Sequence, residues 1–134
     1  MEKVVVDTSV IVKWFIEEPK SKDALELLDL HKKNKISLLV PEIIIVELLN
    51  ALYYSNNYNV KELKLALTLF RKNKLIEIKI EDSSLFETAS IMHKYHITSY
   101  DALYISLAKE LDCKLITNDR KHHLQKIYKK IVYL

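Results

Sequence analysis

Short hydrophobic runs alternate with longer amphipathic stretches along the chain. The short runs are apolar on both faces, as strands of a buried parallel sheet are, and they lie at residues 3–6, 37–40, 75–80, 114–117 and 130–133. Helical periodicity predicts helices at residues 9–16, 20–33, 42–55, 60–72, 83–95 and 100–111, and a short one after residue 119. This alternation predicts one α/β domain over residues 1–134, a three-layer α/β/α sandwich with a five-stranded, mainly parallel sheet.

The absence of glycine changes two expectations. Helices often end on a residue in the left-handed conformation, which here falls to Asn or Asp. We therefore expect Asn34, Asn73 and Asp112 to turn the chain from helix to strand. Glycine-rich loops that cradle phosphate are also missing, which argues against the usual kinases, ATPases and dinucleotide oxidoreductases. A chain of this composition would handle phosphate through a metal ion.

The remaining composition is ordinary for a soluble globular protein, with 49% hydrophobic and 29% charged residues. The longest apolar stretch, IIIVELLNALYY, is broken by Glu47 and Asn50 and is too short to span a bilayer. The start of the chain shows no signal-peptide pattern, so we expect a cytoplasmic protein that does not contact membranes. The net charge of +3 permits a nucleic-acid partner.

Four acidic residues are predicted to meet at one edge of the sheet. Asp7 directly follows the first predicted strand, and Asp119 follows the strand at 114–117. Ligands of open α/β sheets bind beyond the carboxyl ends of the strands, where both residues fall. Glu47 is expected in the second turn of a helix that begins at that edge with Pro41 at its first position. Asp101 lies near the start of a helix that runs back antiparallel to the strands, which brings it to the same edge.

The four carboxylates would repel one another unless a cation joined them. Hard oxygen ligands favour Mg²⁺ or Mn²⁺, and the sequence offers no Cys/His set for zinc. Each acid also has a structural alternative. Asp7 and Asp119 could be N-caps or Asx turns, and Asp101 could only complete a capping box with Thr98. Glu47 is the hardest to explain in this way, because a carboxylate in an isoleucine-rich helix is costly without a partner.

The segments VVVDTSVIVKWF, VPEIIIVELLNAL, SYDALYISLAKEL and LITND resemble the four acidic motifs of the PIN domain family, in particular the VapC-type toxin ribonucleases. The resemblance covers essentially the whole chain. It implies a metal-dependent endoribonuclease in which Asp7, Glu47, Asp101 and Asp119 hold one or two Mg²⁺ or Mn²⁺ ions. It also implies a cognate antitoxin as partner.

The resemblance further places hydroxyl groups at Ser9 and Thr117 beside these acids. We expect Asp7 and Asp101 to bind metal directly and Glu47 to orient or deprotonate the attacking water. Asp119 would then bind a second ion or the outer shell. The resemblance also implies products with 5′-phosphate and 3′-hydroxyl ends.

Several residues outside the acidic set are weaker candidates. Lys13, Arg120 and Lys121 could contact the RNA backbone. His122 and His123 are expected at the surface, without a catalytic role. The helices predicted within residues 42–72 carry more apolar residues than a small core needs, which makes them candidates for a homodimer contact or a partner's helix.

Other activities fit the sequence less well. A receiver domain needs paired acids after the first strand, and a haloacid dehalogenase needs D-x-D, whereas Asp7 stands alone and position 9 is Ser. The alternative that stays open is a PIN-like module that binds RNA or protein without cutting.

Overall fold

Five parallel strands form the central sheet of the computed structural model, which describes residues 1–134. They are β1 (Glu2–Val6), β2 (Ile36–Pro41), β3 (Ile76–Ile78), β4 (Lys114–Thr117) and β5 (Ile131–Tyr133). Their order, β3-β2-β1-β4-β5, places β1 and β4 side by side in the centre. The predicted α/β class and parallel sheet are confirmed, although β3, at the sheet edge, is shorter than expected.

Six α-helices connect the strands. They are α1 (Thr8–Ile11), α2 (Ser21–Lys32), α3 (Ile44–Asn56), α4 (Val60–Lys72), α5 (Asp82–Tyr95) and α6 (Ser99–Glu110), with a 3₁₀ turn at Val12–Trp14. The chain moves from β1 to β2 and β3 in one direction and reaches β4 on the other side of β1. Because such crossovers are right-handed, the connecting helices cover both faces of the sheet. No helix combines the length and apolar character that crossing a bilayer requires.

The core lies between the central strands and α6. The side chains of Val4, Val5 and Val6 in β1 are buried, as is the whole segment Ala102–Ala108 of α6. A helix whose side chains are buried all round must be packed against other elements on every face. The sheet covers one side of α6, and α5 packs against the other.

The helix predicted after residue 119 is wrong, because residues 120–129 form a series of turns. Side chains complete the hydrogen bonding of this segment. The Tyr133 hydroxyl donates to the carbonyl of His123 at 2.9 Å, and the Gln125 side-chain amide donates to the carbonyl of Ile131 at 2.9 Å. These contacts tie the turns to β5 and to the edge where the acids lie.

The predicted left-handed residues are confirmed at two of three positions. Asn34 and Asp112 have φ angles of 57° and 50°. Asn73 remains right-handed with φ −73°, and Lys74 takes the left-handed conformation with φ 53°. The prediction for Asn73 is therefore wrong by one residue.

Candidate active site

Asp7 sits at the junction between β1 and α1 and is only 3% exposed. It occupies the N-cap position of α1, but its side chain makes no capping hydrogen bond. Instead, Ser9 Oγ donates to Oδ1 of Asp7 at 2.5 Å, and Thr117 Oγ1 donates to Oδ2 at 2.5 Å. Helix capping therefore does not explain this buried carboxylate.

Backbone amides beyond the end of β4 orient both hydroxyls. The amide of Asn118 donates to Ser9 Oγ at 2.8 Å, and the amide of Asp119 donates to Thr117 Oγ1 at 2.9 Å. Since each hydroxyl accepts from an amide, its own hydrogen is free to point at Asp7. The exit of β4 thus holds the residue that follows β1.

His123 is buried between Asp7 and Asp101 and is 1% exposed, so the expectation of a surface position is wrong. Its Nδ1 lies 2.8 Å from Oδ2 of Asp7. Its Nε2 lies 3.1 Å from the carbonyl oxygen of Asp101 and 3.7 Å from Oδ1 of that residue. Acceptors lie on both sides of the ring, and both contacts are satisfied best when both ring nitrogens carry hydrogen.

The electrostatics of His123 agree with this geometry. Burial lowers the pKa of the imidazole, but the hydrogen bond to Asp7 and the negative charges of Asp7 and Asp101 outweigh it, so the pKa lies above its ordinary value. The structure therefore places a histidine whose protonated form is favoured among the acids that sequence patterns singled out.

Asp101 lies in the first turn of α6, where Thr98 is the N-cap. Thr98 Oγ1 accepts from the amide of Asp101 at 3.3 Å and donates to Oδ2 at 3.0 Å. The capping interpretation thus accounts for one carboxylate oxygen of Asp101. The other, Oδ1, faces His123.

Asp119 turns the chain after β4. Its Oδ1 accepts from the amides of Lys121 and His122, each at 3.0 Å, and its Oδ2 lies 3.0 Å from Nδ1 of His122. Burial raises the pKa of Asp119, but these hydrogen bonds outweigh it and leave the pKa below its ordinary value. The residue is therefore held as a carboxylate.

Asp101, Asp119 and His122 form a group with the spacing of a metal centre. One ligand atom from each lies within 4.8 Å of the others, and all three side chains are partly exposed. Carboxylate oxygen and imidazole nitrogen are donors that first-row divalent ions accept. The donor set fits a divalent cation here, and His122 is a member that sequence analysis assigned to the surface.

Glu47 lies in the first turn of α3, one turn earlier than predicted, because Pro41 ends β2 instead of starting the helix. The Tyr104 hydroxyl donates to Oε1 of Glu47 at 2.7 Å. Burial raises the pKa of Glu47, and the charges of Asp7 and Asp101 raise it further, while the Tyr104 hydrogen bond opposes them. A carboxylate with a raised pKa is a stronger proton acceptor than an ordinary glutamate.

Tyr104 is a site residue that sequence analysis missed. It is 2% exposed, and Thr8 Oγ1 lies 3.2 Å from its hydroxyl oxygen, which is also bonded to Glu47. Tyr104 follows Asp101 by three residues, so both project from the same face of α6. The three-residue spacing from Asp101 was the sequence signal that could have identified Tyr104 as a site residue.

The three basic candidates differ in their surroundings. Lys13 is buried, and its Nζ lies 2.8 Å from Oε1 of Glu18, so a contact between Lys13 and RNA finds no support. Arg120 and Lys121 are exposed next to Asp119. The guanidinium of Arg120 lies 4.4 Å from the ring centre of Tyr133.

A largely apolar groove of about 880 Å³ lies beside the acids. Thr8 and Glu47 line its end at the site, and α3 supplies much of the rest. Exposed side chains along it include Val46, Tyr54 and Tyr100. The groove is continuous with the acidic site.

Comparisons with known proteins agree with this architecture. The sequence model of the PIN domain matches residues 4–130. Among solved structures, VapBC2 from Rickettsia felis bound to a promoter DNA fragment is similar at a TM-score of 0.74 and 19% identity, over 98% of each chain. The sarcin-ricin loop cleaving toxin VapC20 from Mycobacterium tuberculosis has a TM-score of 0.71 at 10% identity, over 89% of this chain and 92% of that one. DNA-bound VapBC from Salmonella typhimurium has a TM-score of 0.69 at 15% identity, over 99% and 98%. A comparison with curated protein sequences gave no match.

Proposed function

The chain belongs to the PIN domain family, and we propose from this that it is a metal-dependent endoribonuclease and the toxin of a toxin–antitoxin pair. The observation that best supports the proposal is the meeting of four carboxylates at the carboxyl ends of β1 and β4. They belong to Asp7, Glu47, Asp101 and Asp119. His123 lies against both Asp7 and Asp101, and ligand atoms of Asp101 and Asp119 lie within 4.8 Å of each other. Tyr104, one helical turn after Asp101, donates to Glu47.

We assign Asp7, Asp101 and Asp119 to hold Mg²⁺ or Mn²⁺. Ser9, Thr117 and His123 occupy three of the roughly four acceptor positions of Asp7, which leaves one for a cation. A bound ion would supply positive charge for the phosphodiester and favour ionisation of water.

The side chains around the ion would divide the remaining work. Glu47, with its raised pKa, would accept the proton of the attacking water, and Tyr104 would keep its carboxylate oriented. Ser9 and Thr117 would hold Asp7 in place. Arg120 and Lys121, exposed beside Asp119, would bind backbone phosphates of the RNA with salt-sensitive affinity.

The groove beside Glu47 is the place we propose for an antitoxin segment. Several of the similar structures are toxin–antitoxin complexes. A segment with apolar side chains for α3 and one basic side chain directed at the acids would match both parts of this surface. Exposed Val60, Leu65 and Leu69 on α4 would serve a homodimer contact.

A cleavage assay tests the nuclease proposal. Purified protein is incubated with structured and single-stranded RNAs in Mg²⁺, Mn²⁺ or EDTA, and fragments are resolved on gels. We expect cleavage only with metal, and a rate at least about 100-fold lower for Asp101→Asn, because a ligand is lost. Asp112→Asn is the matched control, since Asp112 is exposed and Asn tolerates its left-handed conformation. Equal rates for wild type and Asp101→Asn would exclude the proposed site.

A further inference from the structure

His123 joins three of the four acids, although neither polarity nor spacing marked it as a site residue. We propose that His123 is a positioning residue, which fixes the Asp7 carboxylate relative to Asp101 and so sets the geometry in which a metal ion is held. This inference rests on the proposed function, and it goes beyond it by assigning a role outside the acidic set.

The two ring nitrogens of His123 contact different acids. Nδ1 lies 2.8 Å from Oδ2 of Asp7, and Nε2 lies 3.1 Å from the backbone carbonyl of Asp101. One rigid ring therefore spans from the end of β1 to the start of α6. A shift of either element would break one of these polar contacts to a ring that is 1% exposed, where an unsatisfied group is costly.

The ring itself is held in place. The His123 amide donates to the carbonyl of Asp119 at 3.2 Å, and its carbonyl accepts from the Tyr133 hydroxyl at 2.9 Å. The Tyr104 ring packs near the imidazole at a centroid distance of 6.2 Å and an interplanar angle of 66°. A side chain fixed at its backbone, its face and both nitrogens can transmit position to its partners.

Through its backbone His123 also reaches the third acid, Asp119. Asp7, Asp101 and Asp119 come from three different elements of the fold, and without a connection their charges would drive them apart. Hydrogen-bond partners of metal ligands typically affect metal affinity or activity by about 10- to 100-fold when they are removed. His123 is such a partner of the proposed ligands Asp7 and Asp101.

Three substitutions separate positioning from packing. His123→Asn retains a donor near the place of Nδ1, which faces Asp7. His123→Gln retains a donor near the place of Nε2, which faces Asp101. His123→Leu keeps apolar volume and removes both donors. His93→Asn, at an exposed position of α5, is the matched control.

The readout is the dissociation constant for Mn²⁺, measured without RNA by the electron paramagnetic resonance signal of free Mn²⁺, alongside melting temperature and kcat at saturating Mn²⁺. We expect His123→Leu to weaken Mn²⁺ binding by roughly 10- to 100-fold and to lower kcat. We expect His123→Asn to recover most of the Mn²⁺ affinity, because it still donates to Asp7, and His123→Gln to recover less.

Each other result overturns the proposal. If folded His123→Leu binds Mn²⁺ and cleaves RNA as the wild type does, the ring does not position the acids. If all three variants lose Mn²⁺ affinity equally and in step with melting temperature, or fail to fold, the role of His123 is packing. If the wild type itself neither binds Mn²⁺ nor cleaves RNA, the proposed function fails and this inference falls with it. An active wild type with unaffected variants refutes the inference alone.

Discussion

The acidic site has two sides that differ in burial and in hydrogen bonding. We call Asp7, Ser9, Thr117 and His123 the inner side, and Asp101, Asp119 and His122 the outer side. The side chains of Asp7 and His123 are 5% and 2% exposed, whereas those of Asp101, Asp119 and His122 are 23%, 25% and 42% exposed. Most polar atoms of the inner side already have internal partners and little contact with water, whereas the outer side is in contact with solvent.

This difference separates two tasks. Groups on the inner side are expensive to disturb, because each lost partner leaves a buried polar atom unsatisfied. Groups on the outer side keep contact with water, so their substitution costs little stability. Stability measurements should therefore rank substitutions by side, and ligand binding should not follow the same ranking.

The largest stability effect is expected from Thr117→Val on the inner side. The substitution removes the hydroxyl that donates to Asp7 and that accepts from the amide of Asp119, in a residue with no exposed surface. We expect the free energy of unfolding in urea to fall by about 1–3 kcal/mol. Thr68→Val, exposed on α4, should change it by less than about 0.5 kcal/mol. Equal effects of the two would show that the buried Thr117 hydroxyl contributes no more to stability than an exposed one.

A smaller effect, of opposite sign, is expected from Glu47→Gln in metal-free protein. Because the folded state raises the pKa of Glu47, it binds the proton more tightly than the unfolded state, and stability declines as pH rises above the unfolded value of about 4.3. The substitution should raise Tm by about 3 °C at pH 7 and by almost nothing below pH 4, while it abolishes cleavage.

Differential scanning calorimetry across pH 3.5 to 7.5 checks the effect of Glu47→Gln. Glu26→Gln, at an exposed position of α2, should leave Tm unchanged throughout. A gain in Tm that does not depend on pH would show that charge is not its cause.

The smallest stability effect is expected from His122→Ala on the outer side. The imidazole is an exposed partner of Asp119, and such pairs contribute at most about 1 kcal/mol. We expect a change below about 0.5 kcal/mol in the free energy of unfolding, together with a measurably weaker stabilisation by added Mn²⁺. A loss as large as that of Thr117→Val would place His122 with the inner side.

Local patterns were enough to predict the sheet and the edge at which the acids lie. The valines before Asp7 and the run before Asp119 identified β1 and β4, and parallel strands end at a common edge. The shift of Glu47 by one turn came from Pro41, whose fixed φ suits the end of a strand as well as the start of a helix.

Tertiary contacts decided what the sequence could not show. The segment after residue 119 looks helical in its spacing of apolar residues. In the structure the Tyr133 hydroxyl donates to the carbonyl of His123, and the Gln125 amide donates to the carbonyl of Ile131. These hydrogen bonds to β5 stabilise turns in place of a helix. His123 was misjudged for the same reason. A histidine becomes buried when acceptors surround both nitrogens, and those acceptors come from residues 7 and 101, far away in the chain.

The bond between Asp7 and Thr117 joins residues 110 positions apart. During synthesis from the N-terminus, Asp7 therefore lacks two of its partners until Thr117 and His123 have been made. A nascent chain on the ribosome, surrounded by RNA, lacks the part of the site that positions Asp7 until these late residues have left the exit tunnel. The order in which the chain is made would itself delay assembly of the acidic site.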